Sequence, residues 1–210
     1  MQIIPSIASA NQLEIGNEIC RLKDWPVLHV DIEDGNFTPN ITFGLKTLKK
    51  ISEVYGLKYL DVHLIVNNPC DYLESIAEYG VKMVTAHIEA LPYPMLFINR
   101  ARRLGLKTGL AINIKTNASE IIPFLPILDH VLVMTAEPDN NNEALYPTAL
   151  EKAINIAKSL PSPVELYVDG ALNVESLRKL NKVRVAGAII GRSVFSSDDP
   201  YQHLCNLAKL

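Results

Sequence analysis

The segment Val27-Leu28-His29-Val30-Asp31-Ile32-Glu33 indicates the fold class of this chain. Side chains alternate between the two faces of a β-strand, so the histidine and both carboxylates share one face and the aliphatic residues share the other. We expect the aliphatic face to pack against helices. His29, Asp31 and Glu33 then point towards the axis or mouth of a barrel, where a buried charge must be compensated.

On both sides of this segment, short runs rich in Val, Ile and Leu alternate with longer amphipathic stretches, a pattern typical of βα units on a parallel sheet. The eight predicted strands are 3–6, 27–31, 59–63, 83–87, 108–113, 130–135, 165–169 and 185–190. The loop after the first strand has no glycine, which disfavours a doubly wound dinucleotide fold. No Pro/Gly/Ser-rich linker interrupts the alternation. The sequence therefore predicts a single (β/α)8 TIM barrel domain over residues 1–210.

Composition narrows the classes of partner. The 210 residues are 48% hydrophobic and carry a formal net charge of -3, without the basic runs that nucleic-acid binding requires. The three cysteines are widely spaced and form neither a disulfide framework nor a zinc cluster pattern. No signal peptide or run of about 20 apolar residues is evident. We expect a cytoplasmic protein that binds a small molecule and neither nucleic acid nor membrane.

Polar residues end several of the predicted strands, where barrel active sites lie. Strand 2 offers His29 and Asp31, strand 3 offers His63, and strand 7 ends at Asp169. Imidazole and carboxylate ligands together suit zinc, manganese or iron, so these residues predict a metal site without identifying the metal. The alternative is that each polar strand end caps a helix or pairs locally.

Motifs along nearly the whole chain give it a family resemblance. They are Pro5-Ser6-Ile7, the segment 28–44, Leu60-Asp61-Val62-His63-Leu64, Val131-Leu132-Val133-Met134-Thr135 and Val168-Asp169-Gly170. Together they resemble the ribulose-phosphate 3-epimerase family, and their order makes chance an improbable explanation. The resemblance implies a TIM barrel of the ribulose-phosphate-binding type, and an isomerase of carbohydrate metabolism.

The resemblance also implies a mechanism. The residues that match His29, Asp31, His63 and Asp169 hold one divalent metal ion in the family, most often zinc, with manganese, iron or cobalt as alternatives. Asp31 and Asp169 also serve as the acid and base that invert C3 of a ketose phosphate through an enediolate. The substrate would be ribulose 5-phosphate, xylulose 5-phosphate or a related pentulose or hexulose phosphate. Family members are often dimers or hexamers, so we expect a homo-oligomer.

The resemblance further implies a set of substrate-binding residues. Backbone amides in the turns after strands 7 and 8 would hold the phosphate. The substrate-binding residues expected on this basis are Ser6, His63, Met134, Gly170, Ala171, Gly191 and Arg192.

This chain departs from the family pattern around the substrate. The family usually has methionine where Glu33 and Ile65 stand, although Met134 is retained. A buried Glu33 would need a nearby cation. Lys115, just past strand 5, is the candidate, and we expect an ion pair between Glu33 and Lys115, with a solvated Lys115 as the alternative.

The loop after strand 6 is the second departure. A Gly-rich family segment is replaced by Glu137-Pro138-Asp139-Asn140-Asn141-Asn142-Glu143, and Ala171 replaces a glycine, so we expect weaker phosphate binding. Arg192 would compensate, because a guanidinium binds phosphate through two hydrogen bonds. Two alternatives to an epimerase remain: a sugar-phosphate-binding barrel without turnover, and a phosphate-binding barrel lyase. The lyases have an Asp-x-Lys-x-x-Asp strand pattern, which strand 2 lacks.

Two further histidines are interpreted as structural. His87, at the end of strand 4, is close enough to reach the mouth of the site, but a structural hydrogen bond is the favoured interpretation. His130 begins strand 6, at the opposite end of the barrel from the site.

Overall fold

A computed structural model describes residues 1–55, 59–137 and 144–210 of the chain. Its eight strands pair in the order β1-β8-β7-β6-β5-β4-β3-β2, and each paired neighbour is parallel. The strands are β1 (Gln2–Pro5), β2 (Val27–Glu33), β3 (Tyr59–Ile65), β4 (Met83–His87), β5 (Lys107–Ile112), β6 (His130–Met134), β7 (Glu165–Asp169) and β8 (Gly187–Ile190). The predicted TIM barrel is confirmed.

The barrel closes between its first two strands. β1 and β2 lie at the two ends of the pairing order, and a single parallel bridge between Ser6 and His29 joins them. The last seam of the barrel therefore lies beside the polar end of β2.

Helices cover the outside of the sheet. They are α1 (Ile15–Arg21), α2 (Leu45–Tyr55), α3 (Leu73–Glu78), α4 (Pro94–Arg103), α5 (Pro147–Ser159), α6 (Val174–Leu180), α7 (Arg192–Phe195) and α8 (Pro200–Leu207). In α5, Pro147 occupies the first turn, where its missing N–H is no loss, and Leu150, Ala153 and Ala157 recur on one buried face. Among the described residues, no helix is long and apolar enough to cross a membrane.

The connection between β5 and β6 is a 3-10 run, Ala118–Ile127, and not the α-helix that the βα alternation predicts. Pro123 and Pro126 lie inside it. Each proline lacks a backbone N–H and its ring disrupts the preceding turn, so a continuous α-helix is disfavoured here.

The strands β2 and β3 extend two residues beyond their predicted ends. Ile32 pairs with Leu64, and Glu33 pairs with Ile65, in register with the rest of the ladder. Pairing with the neighbouring strand, which the sequence of one strand does not show, keeps these residues extended. The longer β2 places Glu33 on the same face as His29 and Asp31.

Apolar side chains separate into two layers as the alternation predicts. Val30, Ile32 and Val62 belong to the outer layer between sheet and helices. The inner layer fills the barrel interior with Ile4, Val27, Met83, Ala111, Leu132, Met134, Tyr167 and Ile189. The polar residues of β2, β3 and β7 share the inner face with this second layer, towards the carboxyl ends of the strands.

Candidate metal centre and active site

Four predicted ligands meet at the carboxyl ends of three strands. His29, Asp31, His63 and Asp169 each offer one ligand atom, and these atoms all lie within 4.8 Å of one another. The register explains the meeting, because Asp31 pairs with His63 on the next strand. His29, Asp31 and His63 are buried, whereas Asp169 is partly exposed. The cluster can hold a metal ion.

Asp31 lies at the centre of this cluster. Its Oδ1 atom is 3.0 Å from Nε2 of His29 and 3.0 Å from Nδ1 of His63. The hydroxyl of Ser6 donates a 2.7 Å hydrogen bond to Oδ2 of the same carboxylate. Three side chains, from β2, from β3 and from the residue after β1, therefore contact the Asp31 carboxylate.

Burial and mutual attraction set the charges of the cluster. Burial would lower the pKa of His29, but Asp31 and Asp61 outweigh it and hold that pKa well above its ordinary value. Burial would raise the pKa of Asp31, but His29 and His63 lower it instead. Burial lowers the pKa of His63 to about 4, although the neighbouring Asp31 carboxylate acts to raise it. The cluster thus holds an ionised carboxylate beside a neutral His63 at pH 7.

The donor set fits a divalent metal. Nδ1 of His29 lies 2.6 Å from Oδ2 of Asp61, so its N–H donates to Asp61, and Nε2, which faces Asp31, is the atom available to a metal once it is deprotonated. Without a metal, a proton on Nε2 of His29 bridges to the Asp31 carboxylate, and a bound cation would take the place of that proton. Two imidazole nitrogens with carboxylate oxygens are ligands that zinc, manganese and iron accept.

Two residues beside the ligands were not predicted as site residues. Asp61 contacts His29, and His87 lies 2.9 Å from His63, measured between their Nε2 atoms. The signal for Asp61 was present, since it shares an inward strand face with His63. His87, interpreted as a structural histidine, is hydrogen-bonded as expected, but its partner is a candidate ligand. His130 instead contacts Thr85 inside the barrel.

A cavity of about 720 Å³ opens in front of the cluster. The predicted site residues in its wall are Ser6, Asp31, Glu33, Met134, Asp169, Gly170, Ala171, Gly191 and Arg192. His63 is fully buried and is not part of that wall. The two aspartates therefore face the cavity, while both histidines are covered.

The turns after β7 and β8 bring backbone close to the cavity. Gly170 has a φ of +113°, and a Cβ there would overlap the backbone nitrogen of Ala136. A Cβ on Gly191 would overlap the hydroxyl of Ser9. Ala171 follows with a φ of 49°, in the left-handed region that favours glycine. Glycine is thus required at Gly170 and Gly191, and the alanine at 171 accepts backbone strain.

The expected ion pair between Glu33 and Lys115 is wrong. Glu33 is 5% exposed and lines the cavity, whereas Lys115 is exposed, and none of the ion pairs among the described residues includes it. Two strands separate β5 from β2, which at the usual strand spacing is roughly 14 Å around the sheet. Lys115 is therefore the solvated residue of the alternative interpretation.

The altered loop after β6 lies largely outside the described residues, which omit 138–143. Its first residue, Glu137, is exposed and lines the cavity. One of the acidic residues of this loop therefore lies in the cavity wall.

Comparison with known proteins identifies the family. The profile of the Ribulose-phosphate 3 epimerase family matches residues 2–195. The ribulose-phosphate 3-epimerase of Schizosaccharomyces pombe is 32% identical, over 98% of this chain and 92% of the relative. The rice protein named ribulose-phosphate 3-epimerase, cytoplasmic isoform, is 30% identical, over 99% of this chain and 93% of the relative.

Solved structures agree on the fold. The 3-hexulose-6-phosphate synthase of Salmonella typhimurium superposes with a TM-score of 0.75, at 13% identity, over 100% of this chain and 97% of that one. Likeness at this identity supports the barrel alone, whereas the family profile and the curated relatives concern the activity. The chain therefore belongs to the ribulose-phosphate 3-epimerase family and is a sugar-phosphate epimerase.

Proposed function

We propose that this protein inverts C3 of a ketose phosphate, with Asp31 and Asp169 as the acid and base. The substrate is ribulose 5-phosphate, xylulose 5-phosphate or a related pentulose or hexulose phosphate. The main support is that both carboxylates line one cavity and come from separate strands, β2 and β7. Epimerisation next to a ketone removes a proton from one face of a carbon and returns one to the other face, which requires two such groups.

Each aspartate is held by its surroundings. Asp31 is ionised and oriented by Ser6, His29 and His63, so it is available as a base. The backbone carbonyl of Asp169 accepts hydrogen bonds from the amide and the hydroxyl of Thr135, at 2.6 and 3.0 Å. The Asp31 carboxylate and the backbone of Asp169 are thus held in place, and positioned groups lower the entropic cost of reaching the reactive geometry.

His29, Asp31, His63 and Asp169 are proposed to hold one divalent metal, zinc in the first instance, with manganese, iron and cobalt as alternatives. A bound metal would stabilise the negative charge that develops on the ketone oxygen as the enediolate forms, which is worth several kcal/mol. The support is the mixed imidazole and carboxylate donor set, whose ligand atoms lie within 4.8 Å of one another.

Phosphate is proposed to bind at the turns after β7 and β8. Gly170, Ala171 and Gly191 bring backbone to the cavity wall, and Arg192 supplies a guanidinium beside them. Ser6 and Met134 contact the sugar in this proposal. His63, also expected to bind substrate, acts here through Asp31.

The family match favours the epimerase over a second candidate, a sugar-phosphate-binding barrel without turnover, which the test below distinguishes. The cavity wall carries the exposed carboxylate of Glu137 in addition to the two aspartates, and negative charge there weakens the binding of a phosphate dianion in either candidate. Both candidates bind the same class of ligand, and only turnover separates them.

The test is deuterium exchange at C3. The purified full chain, loaded with Zn²⁺, Mn²⁺, Fe²⁺ or Co²⁺, is incubated in D₂O with a panel of pentulose and hexulose phosphates and followed by NMR. We expect deuterium at C3 of at least one ketose phosphate, and loss of exchange after chelation. Binding without exchange for every member of the panel would support the second candidate and overturn the first.

The proposal includes a cytoplasmic homo-oligomer. The similarity to the cytoplasmic isoform of rice supports the location, and light scattering of the purified chain tests the oligomeric state.

A further inference from the structure

His87 lies directly behind the candidate ligand His63. Their Nε2 atoms are 2.9 Å apart, and both side chains are fully buried. The two rings stack with centroids 4.8 Å apart and an interplanar angle of 26°. The ring of Phe37 lies 4.9 Å from that of His87. The rings of His63 and Phe37 both pack against His87 and restrict it to its contact with His63.

Glu89 lies at the far side of His87. Its Oε2 atom is 3.2 Å from Nδ1 of His87, and its Oε1 atom accepts hydrogen bonds from the amide of Asn113, at 2.8 Å, and from the hydroxyl of Thr116. Burial would raise the pKa of Glu89, but the hydrogen bonds from His87, Thr116 and Asn113 lower it to about 2. Glu89 is thus an ionised acceptor at neutral pH.

The loop after β5, residues 113–116, contains the two residues that donate to Glu89, and this loop is itself held in place. Lys152, on α5, donates hydrogen bonds to three backbone carbonyls of this loop, at 2.7, 3.0 and 3.1 Å. The Glu89 carboxylate therefore accepts from an anchored segment on one oxygen and faces His87 with the other.

These contacts determine where the ring protons lie. A neutral imidazole carries one N–H, and an ionised carboxylate only accepts. His87 therefore donates from Nδ1 to Glu89, and its Nε2 atom accepts the Nε2–H of His63. The remaining lone pair of His63 is on Nδ1, the atom that lies 3.0 Å from Oδ1 of Asp31. Without His87, the opposite tautomer of His63 would donate from Nδ1 to Asp31 and would be unable to bind a metal through that nitrogen.

We propose that His87 and Glu89 are positioning residues that hold His63 in its Nε2–H tautomer, so that Nδ1 is available to a divalent metal. This inference rests on the metal site of the proposed function. It adds two residues that do not line the cavity. His87 contacts one ligand, His63, and Glu89 acts through His87.

The first test measures Co²⁺ affinity by competition with a chromophoric chelator, together with the visible absorption of bound Co²⁺. Loss of an outer partner of a ligand histidine typically weakens metal binding about 10- to 100-fold, and we expect this for His87→Phe, with an altered spectrum. His87→Gln should recover most of the affinity, because its amide oxygen can accept from His63. Glu89→Gln should weaken binding less than His87→Phe.

The matched control is Glu74→Gln, the same change at an exposed carboxylate paired with Arg100, and it should leave affinity unchanged. If His87→Phe has the same Co²⁺ affinity and spectrum as the unmodified chain, the inference is overturned but the proposed function stands. An unmodified chain that binds Co²⁺ yet exchanges no substrate overturns the proposed function but leaves the inference standing. An unmodified chain that binds no Co²⁺ overturns both.

The second test is made on the unmodified chain, and a variant serves only to assign the signals. ¹⁵N NMR of the full chain, recorded after chelation at neutral pH, reports the tautomer of each of its five histidines. We expect His63 as the Nε2–H form and His87 as the Nδ1–H form, with His87→Gln used for assignment. An Nδ1–H form of His63, donating to Asp31, overturns the inference.

Discussion

The hydroxyl of Ser6 donates a 2.7 Å hydrogen bond to Oδ2 of Asp31, across the seam where β1 meets β2. Ser6 also forms the only backbone bridge described between these two strands, with His29. Closure of the barrel and orientation of the central carboxylate therefore depend on the same residue.

Ser6→Ala should lower kcat/KM roughly 10- to 100-fold, because a hydrogen bond to a charged group is worth about 1.5 to 3 kcal/mol. The backbone bridge to His29 does not need the hydroxyl, so the far-UV circular dichroism spectrum should not change. Steady-state kinetics on the best ketose phosphate of the panel provides the measurement. An unchanged kcat/KM would show that Ser6 does not orient Asp31 for reaction.

Asp31→Asn and Asp169→Asn should each reduce C3 deuterium exchange by at least about a hundredfold, because an amide can neither accept nor return the proton. Asp129→Asn, outside the cavity wall, is the matched control and should retain exchange. Substantial exchange in either active-site variant would contradict the assignment of acid and base.

Arg192→Ala should raise KM for the phosphorylated substrate roughly tenfold or more with a smaller effect on kcat, because a guanidinium to phosphate contact is a charge-assisted hydrogen bond. Arg192→Lys should be intermediate, since an ammonium binds phosphate as a point charge. Inhibition by inorganic phosphate, measured in parallel, should weaken in the same order. Equal KM values in all three proteins would remove Arg192 from the phosphate site.

Gly109→Ala should destabilise the fold by about 1 to 3 kcal/mol, the usual cost of overpacking a core. The added Cβ would overlap the buried ring of His130. In a His130→Ala background the same substitution should cost much less, and a double-mutant cycle from urea unfolding gives the coupling. Equal costs in both backgrounds would mean that the ring moves aside freely.

His130 should make stability depend on pH. Burial lowers its pKa to about 4, below the value near 6.5 expected in the unfolded chain, so the unfolded state binds more protons between these values. Its contribution is therefore fully present above about pH 6.5, is lost progressively as pH falls to about 4, and amounts to at most about 3 kcal/mol. His130→Gln should flatten this part of the profile relative to the unmodified chain, with both unfolded by urea in the presence of a chelator. Parallel profiles for the two proteins would contradict the prediction.

Much of the barrel and of the ligand cluster followed from local patterns. The period of two along β2 separated His29 and Asp31 from their aliphatic neighbours, and the same period identified His63 on β3. Alternation is a property of one strand, and a short stretch of chain is enough to reveal it. The strand ends were harder, because Ile32 and Glu33 stay extended only through pairing with β3.

The features that the sequence did not predict depended on distances between segments far apart in the chain. The partner of Glu33 was misassigned because strand order separates the two residues and Lys115 is exposed, and neither fact can be read from residue types. His87 was seen as a strand-end histidine, but its contact with His63 and the closure of β1 onto β2 through Ser6 depend on register and barrel curvature. Periodicity is encoded within each strand, whereas contacts across the barrel exist only once all eight strands pair and close.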